Sequence, residues 1–448
     1  MTIIMQQVKS EKRRRRRGVI LTSDGLERLK QAKSEAEYLD NRGNRYTLEA
    51  LSERTELGVD TLMKVFACES GVDKQTLKMC FKAFNLDLQA NDYYKPPLNP
   101  PSIPDNCLPI EIELPEGQVP LNSEFYIERD SIESDCYQAI LKPGALIRLK
   151  APRKRGKTSL MMRILNQAHK HGYYTVSLSL QLADKALLQD LDKFLQWFCA
   201  NVSLGIKLPN RTVDYWDDLF GSKISCKIYF EEYILEQLKQ PLVLGIDDVD
   251  LLFQYPELAD DFFGLLRAWH EEGKNRGIWK KLRLIVVHSS EVHIPLNVNH
   301  SPFNVGLPIE LPLLTLAQVE DLAGRYDLDL SSEETTQLIN LVGGNPYLVR
   351  LGLYHIARED LTLEELLTTS LQSPDHIYYH HLQWQLLNLQ QQNPDLLEAL
   401  KKVVLSDTKV ELDLLQAFKL QSLGLVELQG DHVTSSCLLY QKYFEETL

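Results

Sequence analysis

"ALIRLKAPRKRGKTSLMMRILNQ", Ala145 to Gln167, is the stretch on which the fold turns. A short β-rich run, "ALIRLKA", leads into a basic turn, and from Ser159 the apolar residues take helical spacing. Between them, "APRKRGKT" fits G-x-x-x-x-G-K-[ST] with Ala151 in place of the first glycine. In that pattern backbone N–H groups cradle phosphates, the lysine reaches the β- and γ-phosphates, and the hydroxyl binds Mg2+. The spacing assigns nucleotide contacts to Ala151, Pro152, Arg153, Lys154, Arg155, Gly156, Lys157, Thr158 and Ser159, and a metal contact to Thr158. Gly156 lets the backbone approach the phosphates, and the following helix directs its N-terminal dipole at them. Ala151 falls where the strand ends, so its methyl group is a mild departure.

A second element follows at "LVLGIDDVD", an apolar strand ending in acid. Asp247 is placed to share Mg2+ with Thr158, and Asp248 to stand beside the attacking water. "VVHSS" ends another strand with His288, Ser289 and Ser290, where a side chain contacts the γ-phosphate or its water; Ser289 is the candidate, against an ordinary polar strand end. Arg267 is a candidate transition-state cation, against a solvated helix arginine.

The 448 residues exceed one ordinary core, and 44% hydrophobic with 25% charged residues is a globular composition. No apolar run reaches the ~20 residues of a membrane helix. "MTIIMQQVKSEKRRRRRG" reverses the order of a secretory signal, and the seven scattered cysteines form no C-x-x-C, so a reducing cytoplasm is expected, without a disulfide framework, zinc site or membrane. Net charge is −13, yet residues 1–97 hold 18 Lys and Arg against 14 Asp and Glu, a balance of +4 that leaves −17 elsewhere. The asymmetry points to an N-terminal segment that meets a polyanion.

The chain reads as a basic tail (1–17), a helical domain (18–93), a Pro-rich linker (94–123), an NTPase core (124–310), a helical lid (311–372) and a closing unit (373–448). In the core, "YYTVSLSL", "PLVLGIDD" and "LRLIVVHSS" read as further strands alternating with helices, so a parallel sheet buried on both faces is expected, with strands ceasing near Leu311. The closing unit gives helix, turn and two short strands around Gly430, the order of a winged helix. Its wing, "LQGDHVTS", has no Arg or Lys and is expected to pack on the core. "IYYHHLQW" lacks metal spacing and reads as core plus surface.

"ERDSIESDCYQAILKPGALIRLKAPRKRGKTSLMMRIL", "LVLGIDDVDLLFQYPELADDFFGLLRAWHEEGKN", "GGNPYLVRLGLYHI" and "FKLQSLGLVELQGDHVTSSCLLYQKYF" occur in order and together resemble the bacterial AAA-like domain proteins of the STAND class of P-loop NTPases, over roughly Leu114 to Leu448. The resemblance implies a multi-domain α/β protein: an ASCE, AAA+-like P-loop core, a helical lid and a winged helix, acting as an ATP-dependent signalling switch with ATP or ADP and Mg2+. It also implies nucleotide contact by a lid Gly-x-Pro, matched by Gly344, Asn345 and Pro346. The family commonly has Asp-Glu where this chain has Asp247-Asp248, which favours binding or slow, conditional ATPase activity over fast turnover. Many relatives continue into β-propeller sensors or effector enzymes, whereas this sequence stops four residues after Phe444, so an external sensor or effector is expected.

"YTLEALSERTELGVDTLMKVFACESGVDKQTLKMCFKAFNLDL" resembles the helix-turn-helix module ahead of such domains in predicted conflict systems. It has Ser52 at the usual alanine and Glu56 at the usual turn glycine, and its second helix offers Asp60, Thr61 and Lys64 outward, a poor set for base edges. A protein adaptor is thereby favoured over a sequence-specific DNA reader, with Lys12 to Arg17 available for phosphate contacts. The expectation is a homo-oligomerising ATP switch in bacterial signalling or defence. Its alternatives are a DNA-associated AAA+ protein of the initiator, transposition-ATPase or transcription-regulator type, and a structural nucleotide binder without turnover.

Overall fold

The computed structural model describes residues 19–40, 46–55, 57–67, 72–94, 112–289, 302–392, 394–406, 410–430 and 432–448. The basic tail, Glu56, Ser290 and linker residues 95–111 lie outside them. The chain forms two compact units, residues 1–109 and 110–448.

The first unit contains helices Ser23–Asp40, Leu48–Thr55, Val59–Ala67 and Lys74–Ala83 around a core of Leu29, Leu51, Leu62, Leu77 and Phe81. A two-residue antiparallel pairing of Ile20–Leu21 with Tyr93–Tyr94 joins the ends of its described portion, a feature with no signal in so short a run. The Ser52 hydroxyl donates to the Leu57 carbonyl at 2.7 Å, so this serine serves the bend between the second and third helices. Lys64 is exposed and Thr61 half-buried.

In the second unit the apolar runs become parallel strands: β1 (Leu146–Lys150), β2 (Tyr174–Ser179), β3 (Leu242–Asp247), β4 (Leu282–His288) and β5 (Leu307–Glu310), in spatial order β2-β3-β4-β1-β5. Side chains alternate across the sheet. From β3, Leu242, Leu244 and Ile246 enter one core with Phe194, Phe198, Phe262 and Trp269. Val243 enters the other, with Leu160, Met161 and Ile164 of helix α2 (Lys157–Lys170). Both faces are therefore buried, as continuous apolar strands require. At Gly245 a Cβ would come within 2.9 Å of Met161 Sδ, so glycine sets how closely α2 lies on the sheet.

The sheet ends at Glu310, as expected near Leu311, but β5 itself is an addition to the four strands that the sequence pattern announces. "LPIE" holds Pro308, which breaks the strand pattern in sequence but is tolerated at an edge, and β5 is the edge strand beside β1. Beyond it, helices Leu316–Arg325, Ser332–Val342, α4 (Pro346–Ala357) and α5 (Tyr379–Gln392) share a further core with Pro394–Val404, α6 (Leu414–Ser422), the antiparallel hairpin β6 (Val426–Gln429) and β7 (His432–Ser435), and α7 (Leu438–Thr447). Helix α1 (Ser131–Leu141) precedes β1, and helix α3 (Pro256–Asn275) lies between β3 and β4.

Residues 119 and 120 are fastened to helix α2. Val119 N–H donates to Ser159 Oγ at 3.0 Å, and Arg163 donates to the carbonyls of Val119 and Pro120 at 3.1 and 2.8 Å.

Candidate nucleotide site

Parallel register brings the C-terminal ends of the strands to one edge: Lys150 pairs with His288 and with Glu310, and Ser179 with Asp247. Clefts at such edges are where open α/β sheets bind ligands. The loop 151–156 leaves β1 there. Ala151 is fully buried in the core behind it, and Gly156 adopts φ 91° as the N-cap of α2, a conformation a side chain resists. A Cβ at Gly156 would also sit 3.1 Å from Arg129 Nη2.

Helix α2 starts at Lys157, whose Nζ donates to the carbonyls of Ala151 and Pro152 at 2.8 and 3.0 Å. Burial pushes this amine down to about 8, against the upward pull of Asp250, Asp247 and Asp248. Thr158 Oγ1 donates to Asp247 Oδ2 at 2.7 Å, which brings the two predicted metal ligands together. Burial raises the Asp247 carboxyl above its usual range, with Asp248 adding to it and the Thr158 hydrogen bond opposing it. Asp248 is left-handed at φ 59°, its N–H bonded to Asp247 Oδ1 at 2.9 Å and its Oδ2 accepting from Ser179 Oγ at 2.8 Å.

Ser289 is brought to this edge but faces an acid that the sequence reading passed over: its N–H and Oγ donate to Asp250 at 3.1 and 2.7 Å. The signal was present as the third acid of "IDDVD". Arg267 sits half-buried on α3, where its charge acts on His270 and Glu271. Ser159 accepts from Val119, as above. Of the variable loop residues, Arg153, Lys154 and Arg155 meet the C-terminal elements: Arg153 lies over Trp384, Lys154 over Tyr347, and Arg155 is buried near Glu427.

Arg129 is a second residue the sequence reading missed. Nearly fully buried, it donates through Nη2 to the Arg155 carbonyl at 2.9 Å and pairs with Glu133 one helical turn on, at 3.6 Å. Its i,i+4 spacing in "RDSIE" was the available signal. Beside it a mostly apolar cleft is lined by Phe125, Ile127, Leu314, Leu322 and Pro346, together with Gly156. Gly344 permits this wall: at φ 67° its carbonyl accepts from Leu314 N–H at 2.9 Å, and a Cβ would clash with the Leu314 carbonyl at 2.6 Å. Asn345 caps α4, and Pro346 is its first residue.

Residues 114–446 match the AAA-like domain family. The chain belongs to it. No curated protein matches the sequence. Among solved structures, a Walker-type ATPase of Pyrococcus abyssi aligns with TM-score 0.50 at 12% identity, over 71% of this chain and 96% of that one. A STAND protein with a tetratricopeptide repeat sensor from Pyrococcus horikoshii gives 0.34 at 15% identity, over 75% of this chain and 44% of that one. The Aeropyrum pernix ORC2 protein, in ADPNP and ADP complexes, gives 0.42 at 14%, over 72% and 97%. The AAA-like domain here thus carries a P-loop ATPase fold, with the strand of its phosphate loop separated from its acid strand by β4. Among the described residues, no helix is long and apolar enough to cross a membrane.

Proposed function

We propose that this protein is an ATP-binding switch, and the observation that carries the reading is the 2.7 Å contact between Thr158 and Asp247 beside the buried amine of Lys157. A hydroxyl and a carboxylate in contact are the hard oxygen donors that Mg2+ takes, and burial of the carboxyl leaves a charge that a cation would offset. In this reading Lys157 leaves the carbonyls of Ala151 and Pro152 for the phosphates, Thr158 and Asp247 hold Mg2+, and the base enters the cleft between Phe125, Leu322 and Pro346. The lid residue Pro346 and the loop residue Gly156 line one cleft, so a nucleotide there favours whichever lid position it contacts best. Homo-oligomerisation, an external partner and slow turnover through Asp248 belong to the same reading, in the STAND manner.

The test is binding of a fluorescent ATP analogue with and without Mg2+. Wild type is expected to bind in a Mg2+-dependent way, and Lys157→Ala to lose about 10- to 100-fold, the worth of a charge-assisted hydrogen bond. Metal-independent binding, or unchanged affinity in Lys157→Ala, rejects the reading.

A DNA-associated role is the second reading, favoured by the helix Lys74–Ala83: it holds no acidic residue, and Lys74, Lys78 and Lys82 are exposed at i, i+4, i+8 spacing. Duplex binding should then weaken with salt at a log–log slope of about −0.9 per phosphate contact, and the slope should shrink when Lys78 and Lys82 become Gln. A salt-insensitive or absent interaction removes this alternative.

A further inference from the structure

The variable residues of the phosphate loop are met by side chains from far along the chain. Lys154 holds φ 62°, with Nζ 4.0 Å from the centre of the Tyr347 ring and 3.2 Å from His381 Nδ1. An ammonium only donates, so Nδ1 is the acceptor and the imidazole proton sits on Nε2, 2.8 Å from the Tyr440 hydroxyl. Arg153 lies 5.8 Å from the Trp384 ring centre, on the same helix α5 as His381. Pro152 is 3.3 Å from where a Cβ on Gly424 would stand. His381 is 6% exposed, so its ring is oriented by these contacts and not by solvent.

We propose that His381 is a positioning residue for the phosphate loop: acting through Lys154, it holds the loop to α5 and α7, and nucleotide phosphates compete with it for that one ammonium. A phosphate that draws Lys154 in has to break its contacts with both His381 and Tyr347. Nucleotide arrival is thereby coupled to release of the C-terminal helices, and their attachment to weaker nucleotide binding. The inference rests on the loop being a nucleotide site.

Two measurements on the full chain decide it: affinity for a fluorescent ATP analogue, and hydrogen exchange of residues 151–157 without nucleotide, in wild type, His381→Phe, Lys154→Ala and the double variant. His381→Phe is expected to tighten binding about three- to tenfold and to speed exchange of the loop amides. In the Lys154→Ala background it is expected to add nothing, the signature of a pair acting as one. Unchanged or weaker affinity in His381→Phe, or an equal effect persisting without Lys154, overturns the proposal. If His381→Phe fails to fold, Tyr440→Phe, which removes the hydrogen bond on the far side of the ring, carries the same expectations. If wild type binds no nucleotide, the proposed function fails, and unchanged loop exchange in the variants separately shows that His381 does not hold the loop.

Discussion

Gly156 lines the cleft and Gly344 lies two residues before Pro346, which lines it too; each glycine combines a left-handed backbone with a close neighbour. At Gly156 the obstacle is the far end of a flexible arginine, which can shift; at Gly344 it is the backbone carbonyl of Leu314, which cannot without moving the chain. Gly156→Ala is therefore expected to lose about 1–2 kcal/mol from αL strain, and Gly344→Ala more, about 2–4 kcal/mol, in equilibrium urea unfolding. The reverse order would show that Arg129 is fixed more firmly than the backbone at Leu314. At the same scale, Asp247→Asn removes the carboxylate charge bonded to Thr158 and should abolish Mg2+ dependence of nucleotide binding before it abolishes binding itself, as read by titration with and without chelator.

Strand β3 is buried along its whole length, and its odd and even residues serve different cores. Leu244→Ala is expected to cost about 2–5 kcal/mol, read as a lowered denaturation midpoint, because the surrounding aromatic residues cannot collapse into the gap. Elements of this kind were legible in sequence: β1 to β4 are apolar runs with turn residues at their ends, and the Gly156-Lys157-Thr158 turn announces itself by spacing. β5 was not, because Pro308 hides an edge strand whose missing donor costs nothing there. The candidate site divides along the same line. Lys157, Thr158 and Asp247 could be nominated from sequence because each sits at a fixed offset within a short motif. Asp250 with Ser289, Ser179 with Asp248, and Lys154 with His381 could not, because those pairings arise from strand register and from packing of elements up to 227 residues apart.

Across the second unit, burial keeps several histidines neutral. His270 and His376 titrate below their ordinary value through burial, and His381 is pushed down to about 3, first by burial and then by the charge of Lys154. The groups facing His381 are Lys154 from the loop, Tyr347 from α4 and Tyr440 from α7. The unfolded chain protonates this histidine below about 6.5 while the folded one does not, so the unfolded state binds more protons and stability falls with acidification. At pH 5 His381 alone should cost about 2 kcal/mol relative to neutral pH. Urea unfolding at pH 7 and pH 5 checks this: His381→Asn should show an acid-induced loss smaller by about that amount, and an equal loss in both proteins would contradict it.

The fastening of residues 119 and 120 gives the chain a mechanical property. Arg163 and Ser159 belong to α2, the helix whose first turn carries Thr158, and they grip Val119 and Pro120 by the backbone and so with little regard to side chains. Tension applied at residues 119 and 120 would thus reach α2 through three hydrogen bonds, one of them at Ser159, a single residue from Thr158.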